Sequence, residues 1–102
     1  DREKLGYGLH IFAYVKVAKL TDKERETFSR KIQNTPEVLE CYSIFGEMDL
    51  LMKIQAKSMK WYQEFLMDFL LALPGVENVN STATLGEIKS TTAIPVRGSM
   101  AL

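Results

Sequence analysis

The chain has 102 residues, of which 46% are hydrophobic and 25% are charged. This composition is typical of one globular domain and excludes a disordered or low-complexity polymer. Thirteen basic and thirteen acidic residues give a formal net charge of zero, so the positive field that holds nucleic acid is missing. A single cysteine excludes an internal disulfide, and no apolar run approaches the length of a membrane span, about 18 residues. We therefore expect a cytoplasmic protein that touches neither DNA nor membrane directly.

The two ends of the sequence lack the periodic patterns of folded elements. Residues 1–8 open with four charged side chains, and we interpret them as the remnant of an interdomain linker in a larger protein. Residues 97–102 show no periodicity and are typical of a tail added during cloning. The folded domain is predicted to span residues 9–96.

A strand and a helix open the predicted domain. Apolar residues alternate with period two over Leu9–Val17, and because both faces are largely apolar, something must cover each of them. Thr21 is followed three residues later by Glu24, which is the pattern of a capping box and predicts a helix over 21–34 with a narrow apolar stripe. Pro36 ends that helix, since the residue before a proline is disfavoured in the α region.

A hairpin, a second helix and a last strand follow. Alternation over Val38–Phe45 and Asp49–Ala56, with a short glycine-containing link between them, predicts an antiparallel hairpin. Ser58 is the predicted cap of a second helix with a broad apolar stripe, which Pro74-Gly75 ends. Residues 78–88 alternate again and predict the last strand.

The order β-α-β-β-α-β predicts an α+β fold of the ferredoxin-like type. In this fold a four-stranded antiparallel sheet carries both helices on one face. The other face remains apolar, and its expected cover is the same face of a second copy, because closed two-fold pairing is the commonest oligomer. We therefore expect a homodimer that associates through its sheets.

Most chemically reactive side chains have a structural interpretation. His10 is the only histidine, and no ligand set or catalytic triad surrounds it in sequence. Cys41 is predicted to be a buried small hydrophobe within a strand, and Trp61 and Tyr62 are predicted to lie in the core. We accordingly predict no catalytic residue, no metal site and no cofactor.

Two places could bind a small ligand. The loop Gly46-Glu47-Met48-Asp49 offers backbone N–H groups beside two carboxylates, which suits both ends of a zwitterion. Thr82 and Thr84 add hydroxyl groups on one face of the last strand. The alternative is that the loop is an ordinary turn and the threonines are ordinary strand residues.

Five segments follow one another in the order and spacing of a known family. They are LGYGL (5–9), PEVLEC (36–41), GEMDLLMK (46–53), LLALPGV (70–76) and EIKSTTAIPV (87–96). Together they resemble the C-terminal effector-binding and oligomerisation domain of Lrp/AsnC (leucine-responsive, feast/famine) transcriptional regulators.

This resemblance implies that dimers assemble further, often into octamers, and that an amino acid such as leucine binds near the contacts between dimers. It also implies that DNA is bound only through an N-terminal helix-turn-helix, which this chain lacks. The positions that match the effector-response sites of the family, or adjoin them in the loop, are Gly46, Glu47, Asp49, Met59, Thr82, Ala83 and Thr84. The family loop commonly has aromatic residues where this chain has Met48 and Leu50.

An amino-acid ligand would divide its groups among these positions. We assign Asp49 to the ammonium, the backbone of 46–48 to the carboxylate, Thr82 and Thr84 to further hydrogen bonds, and Met59 with Ala83 to the apolar lining. The sequence thus predicts a non-enzymatic amino-acid-sensing domain of a transcriptional regulator. The alternatives are a stand-alone sensing domain without DNA binding and a small dimeric ferredoxin-like barrel enzyme.

Overall fold

A computed structural model of the chain describes residues 9–86 and Ile88. The strands are β1 (Leu9–Val17), β2 (Val38–Ser43), β3 (Leu50–Ala56) and β4 (Val76–Ala83). The helices are α1 (Asp22–Gln33) and α2 (Met59–Phe65), and α2 continues as a π-helical turn over Leu66–Leu70. The strands form one antiparallel sheet in the order β2-β3-β1-β4, which confirms the predicted ferredoxin-like fold. The predicted linker 1–8 and tail 97–102 lie outside the described residues.

The hydrophobic core lies between the sheet and the two helices. Alternate residues of β1 and β3 point into it, as their period predicts. α1 contributes one buried side chain, whereas α2, its π-helical turn and the loop before β4 contribute one each. The core residues, none more than 8% exposed, are Ile11, Ala13, Val15, Phe28, Met52, Ile54, Ala56, Tyr62, Leu70 and Leu73. The narrow apolar stripe predicted for α1 therefore corresponds to a helix that buries only Phe28 in the core.

The predicted capping box of α1 is present. Thr21 Oγ1 accepts a hydrogen bond from the Glu24 N–H at 3.1 Å, and Glu24 Oε1 accepts one from the Thr21 N–H at 2.9 Å. The helix ends at Gln33 with Asn34 as its C-cap, so it is one residue shorter at each end than predicted. The predicted range, 21–34, included the two cap residues, Thr21 and Asn34.

The second helix departs from the regular spacing that the sequence predicts. Ser58 caps α2 as expected, with its Oγ accepting from the Trp61 N–H at 3.0 Å. Trp61, Phe65 and Phe69 then stack on one another with ring centroids 4.8 and 4.9 Å apart. The π-helical turn had no signal in the sequence, because it shifts the apolar spacing by only one residue.

No helix in the described part of the chain is long and apolar enough to cross a membrane.

Four strand ends differ from the prediction. β4 runs over Val76–Ala83 rather than 78–88, and its last ladder partner is Ile11 near the start of β1. Beyond Ala83, alternation continues in the sequence, but β1 offers few further residues to pair with, and Leu85 is fully exposed. β2 likewise ends at Ser43 rather than Phe45, and β3 starts at Leu50 rather than Asp49, because the chain between them turns.

Cys41 was predicted to be buried, and this is wrong: the residue is exposed. It lies on β2, the edge strand of the sheet, where α1 gives little cover. Its side chain shares the helix-covered face with its ladder partner Met52, since paired residues point the same way. Partial desolvation there raises the pKa of the thiol even though the residue as a whole is accessible.

The other sheet face carries an apolar centre with a polar surround, and we call it the open face. Ladder pairing places Tyr42, Leu51 and Tyr14 in one row across three strands, with Phe12 in the next row of β1. Tyr14 and Tyr42 are 38% and 52% exposed. Polar side chains that share this face include Lys16, Glu40, Lys53, Asn80 and Thr82.

The turn between α2 and β4 depends on one glycine. Gly75 has φ +73°, the left-handed region that favours glycine, and its carbonyl accepts a hydrogen bond from the Ala18 N–H at 2.8 Å. A Cβ at this position would also collide with the side chain of Leu20.

Gly75→Ala is therefore expected to lower the free energy of unfolding by about 1–2 kcal/mol. Urea denaturation measures this difference. Gly46→Ala is the matched control, because a Cβ there meets nothing within 4 Å. Equal losses in the two variants would contradict the strain assigned to Gly75.

Candidate functional site

The loop between β2 and β3, residues 44–49, is fastened to the end of β1. The Asp49 N–H donates to the Val15 carbonyl at 2.9 Å, and Asp49 Oδ2 accepts from the Val17 N–H at 2.9 Å. The Lys16 ammonium donates to the Glu47 carbonyl at 3.3 Å. Three successive residues of β1 thus hold the loop in place.

Asp49 has a structural task in addition to the one assigned from the sequence. Its carboxylate is part-buried and bonds a backbone N–H at the point where the register between β1 and β4 shifts. An ionised carboxylate has about four acceptor positions, so one bond to Val17 leaves room for a ligand ammonium. The structure therefore supports the turn-ordering alternative without opposing the binding role.

The second group of predicted residues belongs to β4 and to the start of α2. Thr82 lies on the open face opposite Phe12, and Ala83 is half-buried opposite Ile11. Thr84 follows β4, and its N–H and its hydroxyl both donate to the His10 carbonyl, at 2.9 and 3.1 Å. Thr82 and Ala83 consequently face opposite sides of the sheet.

Met59 is the first residue of α2 and is 46% exposed. It follows β3 closely, and Ala56 at the end of β3 pairs with Leu9 at the start of β1. Met59 therefore lies toward the same end of the sheet as Thr82, Ala83 and Thr84.

The two groups lie at opposite ends of the sheet. The loop is bonded to β1 at Val17, whereas Ala83 pairs with β1 at Ile11. Six residues of strand separate these points, which corresponds to roughly 20 Å at about 3.3 Å per residue. One chain therefore does not bring the eight predicted residues, Gly46, Glu47, Met48, Asp49, Met59, Thr82, Ala83 and Thr84, into a single pocket.

A groove that the sequence analysis missed runs between α1 and the β2–β3 hairpin, and we call it the α1 groove. It has two adjoining parts of about 480 and 370 Å³, which share walls formed by Arg25, Phe28, Ser43 and Leu50. Asp49 lines the smaller part. No sequence pattern indicates this groove, which is lined by Phe28, the one buried residue of α1.

The described residues contain no group of three or more His, Cys, Asp or Glu side chains placed to hold a metal ion. Tyr42 and Glu40 do pair on β2, with the tyrosine hydroxyl donating to Glu40 Oε1 at 2.8 Å. This hydrogen bond and the carboxylate charge raise the pKa of the tyrosine.

The fold is that of a small α+β domain with an open sheet face, and comparison with known proteins identifies its family. The profile of the Lrp/AsnC ligand binding domain matches residues 10–94. The chain belongs to this family of domains from transcriptional regulators.

The relatives that match are longer proteins. The DNA-binding transcriptional activator DecR of Escherichia coli is 34% identical over 96 residues, which cover 94% of this chain and 63% of DecR. The transcriptional regulator AzlB of Bacillus subtilis is 30% identical over 96 residues, or 94% of this chain and 61% of AzlB. The chain thus spans less than two thirds of the length of these curated relatives.

Solved structures show the same fold. A transcriptional regulator from Neisseria meningitidis in complex with L-methionine has a TM-score of 0.83 and 35% identity, covering 94% of this chain and 62% of that one. A second structure, FFRP-DM1, has a TM-score of 0.64 and 26% identity, and the match covers 76% of this chain but 99% of that one. The fold therefore occurs both within longer regulators and as almost an entire chain.

Proposed function

We propose that this domain binds an amino acid between assembled copies, and that binding shifts the assembly of a transcriptional regulator. The main support for this proposal is the distance between the two groups of predicted site residues. The loop that holds Asp49 and the end of β4 that holds Thr82 are roughly 20 Å apart along β1. A pocket that uses both groups requires the loop of one copy and the β4 end of another.

The open face provides the first contact between copies. Its aromatic and aliphatic centre, Phe12, Tyr14, Tyr42 and Leu51, suits packing against a second sheet, with the polar surround at the rim. Contacts between dimers, up to an octamer, then bring the remaining loops and β4 ends together. Assembly is thus part of the site.

The expected ligand is a zwitterion with an apolar side chain. Asp49 receives the ammonium, backbone N–H groups of 46–48 receive the carboxylate, and Thr82 and Thr84 hydroxyls add hydrogen bonds. Met59 and Ala83 line the pocket for the side chain. The L-methionine complex of the Neisseria meningitidis relative supports this class of ligand and makes L-methionine the first probe.

Thermodynamic linkage then connects the ligand to regulation. A ligand changes an assembly equilibrium only by the difference between its affinities for the two states. If the pocket is formed by two copies, the ligand binds the assembled state more tightly, because a separated copy supplies only half of the binding residues. An attached DNA-binding domain, as in the relatives, would report the change.

Asp49→Asn tests the ligand assignment. The Asn Oδ1 still accepts from the Val17 N–H, so thermal melts should remain close to wild type, whereas the charge that holds the ammonium is lost. Calorimetric titration with L-methionine should show about 10- to 150-fold weaker binding, the effect of about 1.5–3 kcal/mol for a charge-assisted bond. Unchanged affinity together with a lowered melting temperature would assign Asp49 to the turn alone.

Asp49→Ala supplies the matched comparison. It removes both the charge and the acceptor for Val17, so it should lower stability by about 1–3 kcal/mol as well as affinity. The difference between the two variants separates the structural bond from the ligand bond. If L-methionine and the other amino acids give no heat at millimolar concentration with the wild-type assembly, the proposed ligand class is wrong.

A stand-alone sensing domain is the second candidate, and the near-complete coverage of FFRP-DM1 favours it. Gel retardation with the product of the complete gene separates the two, because only a regulator with its own DNA-binding domain retards a fragment at physiological salt. We also infer that the domain is not an enzyme and acts in the cytoplasm, since its curated relatives include a DNA-binding transcriptional activator.

A further inference from the structure

We infer that Tyr62 and Ser81 are positioning residues for the amino-acid site, because their hydrogen bond fixes the spacing between the two apolar residues assigned to its lining, Met59 and Ala83. This role rests on the proposed function, which it deepens. Tyr62 Oη and Ser81 Oγ lie 2.5 Å apart and join α2 to β4. These two elements carry Met59, Thr82 and Ala83 of the predicted site.

The bond connects the core to an edge strand. Tyr62 is 2% exposed and belongs to the hydrophobic core, whereas Ser81 is exposed. Burial raises the pKa of the Tyr62 phenol, and the bond to Ser81 partly offsets this rise, so the hydroxyl stays uncharged at neutral pH. In the described sheet β4 pairs with β1 on one side and is an edge on the other. The bond to Tyr62 therefore gives this edge strand a second anchor, on the helical layer.

The direction of the chain places the two lining residues at the same end of the sheet. β3 ends at Ala56, which pairs with Leu9, and α2 begins three residues later at Met59. β4 ends at Ala83, which pairs with Ile11. Both Met59 and Ala83 thus lie toward the start of β1, beyond the bond between α2 and β4.

Both lining residues are close to the bond along their own elements. Met59 precedes Tyr62 by three residues, which is roughly 4.5 Å along a helix axis. Ala83 follows Ser81 by two residues on the same face of the strand, which is roughly 7 Å. A bond at this distance limits how far the end of β4 can move from the start of α2. The lining that the ligand side chain meets is thereby held at a fixed width.

Two substitutions remove the bond while they keep the ring and the strand. Tyr62→Phe and Ser81→Ala should each weaken L-methionine binding about 3- to 10-fold in calorimetric titration of the full 102-residue chain. The double variant should bind no more weakly than the weaker single variant, because both changes remove the same bond. Independent effects would instead multiply to about 9- to 100-fold, and that result would overturn the inference.

Two control variants separate positioning from loss of stability. Thr21→Ala removes another hydroxyl that forms one hydrogen bond, the cap of α1, so it should lower stability without changing the affinity for L-methionine. Ser81→Thr keeps the hydroxyl and should retain the affinity of the wild type. Equal weakening by Thr21→Ala and Tyr62→Phe would contradict a positioning role.

Nuclear magnetic resonance of methyl groups tests the spacing without any ligand. Ser81→Ala should shift the methyl signal of Met59, and Tyr62→Phe should shift that of Ala83, whereas Thr21→Ala should shift neither. Each reporter lies on the element opposite to the substitution, so a shift requires that α2 and β4 are coupled. Unmoved signals in both variants would overturn the inference.

The titrations also distinguish failure of this role from failure of the proposed function. If the wild type binds no amino acid but the methyl signals respond, the amino-acid function is wrong while the coupling between α2 and β4 stands. If the wild type binds L-methionine and neither Tyr62→Phe nor Ser81→Ala weakens it, the positioning role alone is overturned.

Discussion

Val15→Asp is expected to unfold the chain. Val15 is fully buried in β1, between Leu50 of β3 and Val79 of β4, and its side chain faces the helices. An unpaired carboxylate in that position costs several kcal/mol, a large part of the total stability of about 5–15 kcal/mol for a domain of this size. Circular dichroism at 25 °C should show loss of the folded signal, or a melting temperature lowered by more than about 15 °C.

The neighbouring residue gives a matched control. Tyr14→Asp places the same charge one position away but on the open face, where the side chain is 38% exposed. A strand that slipped by one residue would exchange the two outcomes, because alternate residues face opposite sides. Normal melting of Val15→Asp would therefore show that the register of β1 is wrong.

Tyr14→Asp is also expected to separate the copies while each chain stays folded. Tyr14 lies in the central row of the open face beside Leu51. A stable dimer buries about 1,200 Å² or more, and a charge at the centre of such a contact has no partner in the other copy. Light scattering at micromolar concentration should give the mass of a dimer or larger assembly for the wild type and of a monomer for the variant.

Met67→Lys is the control for the loss of an exposed apolar side chain. Met67 is 65% exposed and lies on the helical side of the domain, so the variant should associate like the wild type. A monomeric wild type at micromolar concentration would contradict the proposed interface. A dimer that survives Tyr14→Asp would move the interface away from the open face.

The central strands could be predicted from the sequence because their alternation reflects burial on one face. Ile11, Ala13 and Val15 are all buried, as the alternation predicts. Their ladder partners on β3 are Ile54, Met52 and Leu50. Strand ends could not be predicted in the same way. Leu85 continues the alternation of β4 but is fully exposed, because the pairing of β4 with β1 ends at Ala83 and Ile11.

The sequence predicts residues for the candidate site but not how they are arranged in space. The loop and the β4 threonines came from residue chemistry and from resemblance to a family, yet their placement at opposite ends of β1 depends on the sheet register. The bond from Asp49 to Val17 spans 32 positions in sequence and has no local signal. The α1 groove likewise depends on how far a helix stands from a strand, which residue patterns do not encode.

Sedimentation velocity with and without L-methionine tests the central claim, that an amino acid binds between copies and thereby shifts their assembly. With saturating L-methionine, the distribution should move between the dimer and a larger assembly, and the affinity should depend on protein concentration as linkage requires. Thr82→Val should reduce both the shift and the affinity. Binding of L-methionine that leaves the sedimentation distribution unchanged at every protein concentration would contradict the claim.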